Sequence, residues 1–207
     1  MDAGVNIISF DLDETLISVS FDKEIYNEII PRRVAHQENI SLEEAKQFVY
    51  AQYYKAKYVD QVTNWTSIRR WLKQFNIDET EQILKRLREN TEPYDDVKET
   101  LNEFSEIAEL AIFTDTNPEF LRVKTEIPPL PEHIDTVRSG PYDYGFSKKD
   151  DQAWEAYLAD LSVKPSKIIH IGDSIQDDVN IPNDLGIKTY HLNRDSNTAQ
   201  KGYESLK

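Results

Sequence analysis

The chain has 207 residues, 24 basic and 38 acidic, for a formal net charge of −14. That charge argues against a nucleic-acid partner, because phosphate backbones need cationic surface, and it disfavours an anionic ligand at long range. The absence of cysteine excludes disulfides, a thiol nucleophile and thiolate-held zinc. With 39% hydrophobic residues, a mean hydropathy of −0.65, no long apolar run and no basic leader, the expectation is a cytoplasmic protein with a core of its own and no membrane partner.

Residues 5–11 read as a buried strand that runs into Asp11, Leu12, Asp13, Glu14 and Thr15. Alternate residues of a strand share a face, so Asp11 and Asp13 crowd one spot where the strand ends. Two carboxylates held that close need a cation or a shared proton. From about 21 to 91 the pattern is helical. Phe21 to Gln37 has helical periodicity that Pro31 interrupts, and Ser41 with Glu44 forms a capping-box signal for a helix through Tyr53 or beyond. Trp65 to Phe75 and Thr80 to Leu87 give two more helices.

Residues 94–107 form an amphipathic helix, after which strands and helices alternate. Leu110 to Phe113 is a strand ending at Thr114, and Asn117 caps a helix that Pro118 opens. His133 to Val137 suits a short strand and Ser147 to Leu161 a helix. Lys167 to Ile171 is a strand that leads through Gly172, Asp173 and Ser174 into a helix ending near Gly186; Ile187 to His191 is the last strand. His170, inside a buried strand, reads as a satisfied core histidine, and the tail from Asp195 as a polar, loosely held end. Such alternation implies a parallel sheet with right-handed crossovers. Ligands bind beyond the C-terminal strand ends of such sheets, which is where Asp11, Thr114 and Asp173 fall.

Asp11 to Thr15, then Thr114, Lys148, and finally Gly172-Asp173-Ser174 with Asp178 resemble, in order, the four motifs of the haloacid dehalogenase-like (HAD) hydrolase superfamily. The resemblance covers about residues 5–20 and 94–194. It implies a Rossmann-like, three-layer α/β core with a parallel sheet over 1–18 and 92–207, and an inserted α-helical cap over 19–91. The interval between Thr114 and Lys148 is too short for the alternative cap position used in other branches. Lys148-Lys149, Asp178 to Pro182 and Asp184-Leu185-Gly186 are similar to an archaeal branch.

The resemblance also implies roles. Asp11 is the expected nucleophile, forming an aspartyl-phosphate, and Asp13 the acid and then base. Asp11 and Asp173, with the backbone carbonyl of Asp13, are the expected Mg²⁺ ligands, a hard cation suited to carboxylates. Asp178 supports the metal through water or orients Lys148. Thr114 donates to a phosphoryl oxygen, and Lys148 neutralises phosphoryl charge and keeps Asp11 ionised. Thr15, Gly172 and Ser174 support the loops that carry them. Lys149 competes with Lys148, but the step from Lys148 to Trp154 fits the family's lysine-to-aromatic spacing.

Three positions depart from the common pattern. Glu14 stands where glycine is most common, Lys149 where proline is frequent, and Asp115 where many members have asparagine; Asp115 either adds negative charge near the phosphate or caps the helix after it. Asp13 favours phosphoryl transfer over halide displacement, which needs no proton. The expected activity is therefore a Mg²⁺-dependent phosphatase acting on a small phosphorylated metabolite such as a sugar phosphate, phosphoglycolate or nucleotide. The alternatives are an idle HAD-like binding scaffold, a phosphomutase and a 2-haloacid dehalogenase. In the cap, Arg69, Arg70, Tyr53, Tyr54, Tyr58, Trp65 and Trp71 could meet substrate, although aromatics at helical spacing also build a core. Arg32 and Arg33 read as solvated surface. No oligomeric state follows from the sequence.

Overall fold

The structure, a computed structural model, describes residues 5–62 and 64–194. In chain order it contains β1 (Ile7–Phe10), α1 (Ser20–Glu24), α2 (Ile30–Glu38), α3 (Leu42–Tyr54), α4 (Ile68–Gln74), α5 (Thr80–Glu89), α6 (Val97–Ser105), β2 (Glu109–Thr114), α7 (Pro118–Thr125), α8 (Leu130–His133), β3 (Thr136–Ser139), α9 (Asp151–Asp160), β4 (Ile168–Gly172), α10 (Ile181–Asp184) and β5 (Lys188–His191). Among the described residues, no helix is long and apolar enough to cross a membrane. Contacts divide the described residues into two compact units: one within 5–18, 92–116 and 125–194, the other within 19–91 and 117–124.

The first unit is built on a five-stranded sheet in the order β3-β2-β1-β4-β5. Every pair is parallel, and the register sets Phe10 beside Ile112 on one side and Ile171 on the other. Both faces of a parallel sheet are covered, so its strands read as apolar runs rather than as alternating patterns; β1 is buried at all its positions. On one face Phe113 stacks on Tyr157, with centroids 4.2 Å apart, and meets Trp154 edge-on at 4.8 Å. This packing fixes α9 against the sheet. Asp11, the residues after Thr114, and Asp173 all leave the sheet at the same edge, the C-terminal ends of three neighbouring strands.

The second unit is helical. Its core gathers Ile25, Ile30, Val34, Val49, Trp71, Leu84, Leu87 and Phe120. Ser41 accepts a hydrogen bond from the Glu44 amide while Glu44 reaches back to the Ser41 amide, so the capping box is formed and α3 starts where the sequence says. Pro31 does not interrupt its helix, contrary to the expectation. A π-turn at Ile25–Ile29 joins α1 to α2 without a break. A proline ring clashes with the carbonyl four residues back and offers no N–H; widening the preceding turn removes that conflict. Among the aromatics expected as substrate contacts or core, Trp71 is buried and donates to the Trp65 carbonyl, while Tyr54 and Tyr58 are exposed and pack on each other. Arg32 and Arg33 are exposed and pair with Glu28 and Glu79.

Residues 117–124 share that unit. Asn117 caps α7, accepting from the Phe120 amide, and donates to the Thr66 carbonyl at 3.1 Å. Lys124 is buried and pairs with Asp22 at 2.7 Å.

Candidate active site

Asp11 follows the last residue of the central strand, and its amide donates to the Ile171 carbonyl. Its carboxylate is buried and receives the Lys148 ammonium, which also donates to Asp178 at 2.6 Å. Lys148 thus lies between two carboxylates that come from different ends of the chain. Lys149 is exposed. Trp154 donates its indole N–H to the Lys148 carbonyl at 3.0 Å, so the aromatic step from α9 anchors the lysine segment.

That segment is not helical, although the sequence predicts a helix from Ser147. The α9 helix begins at Asp151. The cause is Asp115, whose carboxylate accepts from the Ser147 hydroxyl at 2.5 Å and from the Lys148 amide at 3.0 Å. Those bonds hold Ser147 and Lys148 in a turn ahead of the helix, from which the lysine reaches Asp11. Asp115 therefore caps the lysine segment and not α7, which Asn117 caps. Burial raises its carboxyl above the usual range, against Lys148 and both hydrogen bonds.

Asp178 is buried and fully engaged. One oxygen receives Lys148 and lies 3.1 Å from His170 Nε2, and the other accepts from the Ser174 amide at 3.0 Å. Gly172 makes room for it: a Cβ there would lie 2.3 Å from the Asp178 carboxyl carbon. Ser174 caps the following turn by accepting from the Asp177 amide. His170 is the core histidine expected, with Nδ1 3.0 Å from Ser9 Oγ, which in turn meets Tyr157 Oη at 3.0 Å. A buried polar chain thus runs from α9 through β1 and β4 to Lys148.

Asp13 is held by a residue that the sequence reading did not single out. Thr116 donates to its carboxylate at 2.7 Å. Because that uses the Thr116 hydroxyl hydrogen, Thr114, 2.9 Å from Thr116 Oγ1, is the donor in their pair. Thr114 is itself buried at the end of β2. Thr116 follows Thr114 at the alternation that puts residues on one face, which was its only sequence signal. Glu14 lies in the left-handed region with φ 56°, the physical reason glycine suits that position. Thr15 is buried with its hydroxyl unpartnered.

Burial, with Asp178 and Asp13 nearby, pushes the Asp11 carboxyl well above the usual carboxylate range despite Lys148. Burial also opposes charge on Lys148, but Asp11, Asp178 and Asp115 outweigh it and hold the ammonium firmly protonated. Burial and Asp178 raise Asp173. Asp178 goes the other way: burial is outweighed by Lys148 and His170, and it stays ionised. Among the described residues, carboxylate oxygens of Asp11, Asp173 and Asp178 lie within 4.8 Å of one another. Oxygen-only donors converging beside a buried cluster fit a hard divalent cation. The Asp13 carboxylate lies outside that group.

A match to the haloacid dehalogenase-like hydrolase family spans residues 5–180. The chain is 26% identical over 208 residues to the GMP/IMP nucleotidase YrfG of Escherichia coli K12, covering 97% of this chain and 89% of that one. Among solved structures it is similar to a HAD phosphatase from Thermococcus onnurineus, with a TM-score of 0.78 at 21% identity over 93% of this chain and 88% of that one. It is also similar to a HAD family hydrolase from Deinococcus radiodurans, solved with bound phosphate and sodium, with a TM-score of 0.57 at 17% identity over 92% and 82%. The ordered motifs, the parallel sheet and the span of the family match lead to one assignment: this chain belongs to the haloacid dehalogenase-like hydrolases.

Proposed function

We propose that this hydrolase is a Mg²⁺-dependent phosphatase that acts on a small phosphorylated metabolite, with a purine nucleoside monophosphate as the favoured class, through a phosphoryl group carried on Asp11. The observation that carries the reading is the buried Lys148 ammonium shared by Asp11 and Asp178, with Asp173 alongside. Phosphoryl transfer asks for positioned charge more than for covalent chemistry, and this cluster supplies it. The similarity to a GMP/IMP nucleotidase favours a nucleotide. Residues 19–91 fit the role of a cap.

In this reading an Asp11 oxygen attacks phosphorus in line with the ester oxygen. The bond from phosphorus to that oxygen breaks, and Asp13 gives the departing oxygen its proton. Asp13, now ionised, takes a proton from water as the water oxygen attacks phosphorus. The Asp11–phosphorus bond breaks, inorganic phosphate leaves, and Asp13 is again protonated. Thr116 keeps Asp13 aimed through both steps. Lys148 balances the phosphoryl charge; Thr114 turns its hydroxyl from Thr116 to a phosphoryl oxygen. Asp11 and Asp173, with the Asp13 carbonyl, would hold Mg²⁺, which when bound adds positive charge against the phosphoryl oxygens. Asp178, whose oxygens are taken by Lys148, His170 and Ser174, serves to place the lysine.

The test is phosphate release from GMP, IMP and p-nitrophenyl phosphate, with Mg²⁺ and with EDTA, for the native chain and Asp11→Asn. The reading expects metal-dependent release that Asp11→Asn abolishes. Release at full rate in Asp11→Asn, or in EDTA, would contradict it.

A further inference from the structure

The loop that carries Asp13 is gripped from outside the four motifs. Arg194, past the end of β5, donates through Nε at 3.1 Å and Nη2 at 2.5 Å to the Thr15 carbonyl. Its Nη1 meets both oxygens of Asp96, at 2.7 and 2.9 Å. Its guanidinium lies 4.1 Å from the centre of the Tyr94 ring, and the side chain is only 10% exposed. The Tyr94 hydroxyl donates to Glu14 at 2.6 Å, and its amide donates to the Leu16 carbonyl. Glu14, Thr15 and Leu16, the residues straight after Asp13, are thus each tied to Arg194 or to the tyrosine beneath it.

The loop needs that support. A non-glycine residue in the left-handed region is strained, and Glu14 sits there immediately after the carboxylate that must meet the departing oxygen. Main-chain bonds within the loop, from Glu14 N to the Ile17 carbonyl and from Leu16 N and Ile17 N to the Leu12 carbonyl, keep it tight. No other cation is described on the Thr15 carbonyl. A planar guanidinium that forks between that carbonyl and a carboxylate fixes direction in a way a flexible ammonium does not.

We propose that Arg194 is a positioning residue for Asp13: by holding the Thr15 carbonyl against Asp96 and stacking on Tyr94, it keeps the strained loop in the geometry that delivers a proton to the leaving oxygen. Its kinetic consequence rests on the phosphatase reading; its structural consequence does not. A positioned proton donor matters most when the leaving group is a strong base. A nucleoside alkoxide needs the proton as the bond breaks, whereas p-nitrophenolate leaves with little help. A fault in Asp13 placement therefore discriminates between substrates, and general loss of folded protein does not. The parameter to read is kcat/KM, which reports events through the first irreversible step.

The experiment compares native protein, Arg194→Ala, Arg194→Lys and Tyr94→Phe at matched thermal stability. It measures kcat/KM for GMP and for p-nitrophenyl phosphate, together with amide hydrogen exchange over residues 11–18. In Arg194→Ala the drop for GMP should exceed that for p-nitrophenyl phosphate by about tenfold or more, a fraction of the roughly 10²–10⁴ a placed acid supplies. Tyr94→Phe should shift the ratio the same way by less, and Arg194→Lys should not restore it. Exchange should rise over 11–18 and stay unchanged in β2 and β4. Equal losses on both substrates, or unchanged exchange in the loop, would overturn the proposal. A native protein that hydrolyses neither ester would count against the phosphatase reading, and the exchange arm would still decide whether Arg194 holds the loop.

Discussion

At Lys148 the site sets one ammonium against two buried carboxylates, and the space for the second exists only because residue 172 has no side chain. Gly172→Ala should force Asp178 from Lys148, costing about 1–3 kcal/mol of stability as an overpacked position and lowering turnover far more than a surface mutation does. Thermal melts and phosphate release check both; a variant with native activity would mean that Asp178 does not place the lysine. His170 adds a pH signature. Burial depresses its pKa against the pull of Asp178, so the folded protein holds it neutral. The unfolded chain binds that proton near about pH 6.5. Stability from this group is therefore full above that value and is lost as pH falls through it toward the folded pKa. The fall in Tm between about pH 7.5 and about pH 5.5 should be smaller in His170→Asn than in the native protein; parallel curves would contradict this. Asp11, Asp13, Thr114 and Asp173 could be singled out because each ends or closely follows a strand inside a motif, and Lys148 because of its step to Trp154. Thr116 and Arg194 were not, because their value lies in contacts with Asp13 and Thr15 from distant parts of the chain.

Among the elements, the helices show what local chemistry controls. Ser41 and Glu44 are exposed and satisfy each other's backbone at the start of α3. Ser41→Ala should cost about 1 kcal/mol with activity unchanged, read by thermal or urea unfolding; a cost near zero would mean solvent caps that end equally well. Periodicity located most helices and strands to within a few residues. It missed the π-turns at Ile25–Ile29, Lys55–Val59, Gly140–Tyr144 and Ile175–Asn180, since one extra residue in a turn leaves no repeat to detect. It also carried α9 too far toward its start, because a side chain distant in sequence, Asp115, holds Ser147 and the Lys148 amide in a turn outside the helix.

For the molecule as a whole, the chain passes between its two units after residues 18, 91, 116 and 124. The first two passages follow from the long helical stretch that separates β1 from the later strands. The other two depend on Asn117, Phe120 and Lys124 finding partners among residues 22–87, which no local pattern reports. The net charge of −14 acts on every anion that approaches. Salt shortens the Debye length to about 8 Å near physiological strength. For a dianionic ester, kcat/KM should therefore rise as ionic strength increases at fixed Mg²⁺. A fall would mean that the local field of Lys148 and its neighbours governs capture.

The central claim, that Asp11 carries the phosphoryl group, is tested most directly by quenching a reaction in acid during turnover and locating added mass by peptide mass spectrometry. The account predicts one phosphoryl group on the peptide containing Asp11, dependent on Mg²⁺ and absent from Asp11→Asn. A phosphoryl group on another residue, or full turnover by Asp11→Asn, would contradict it.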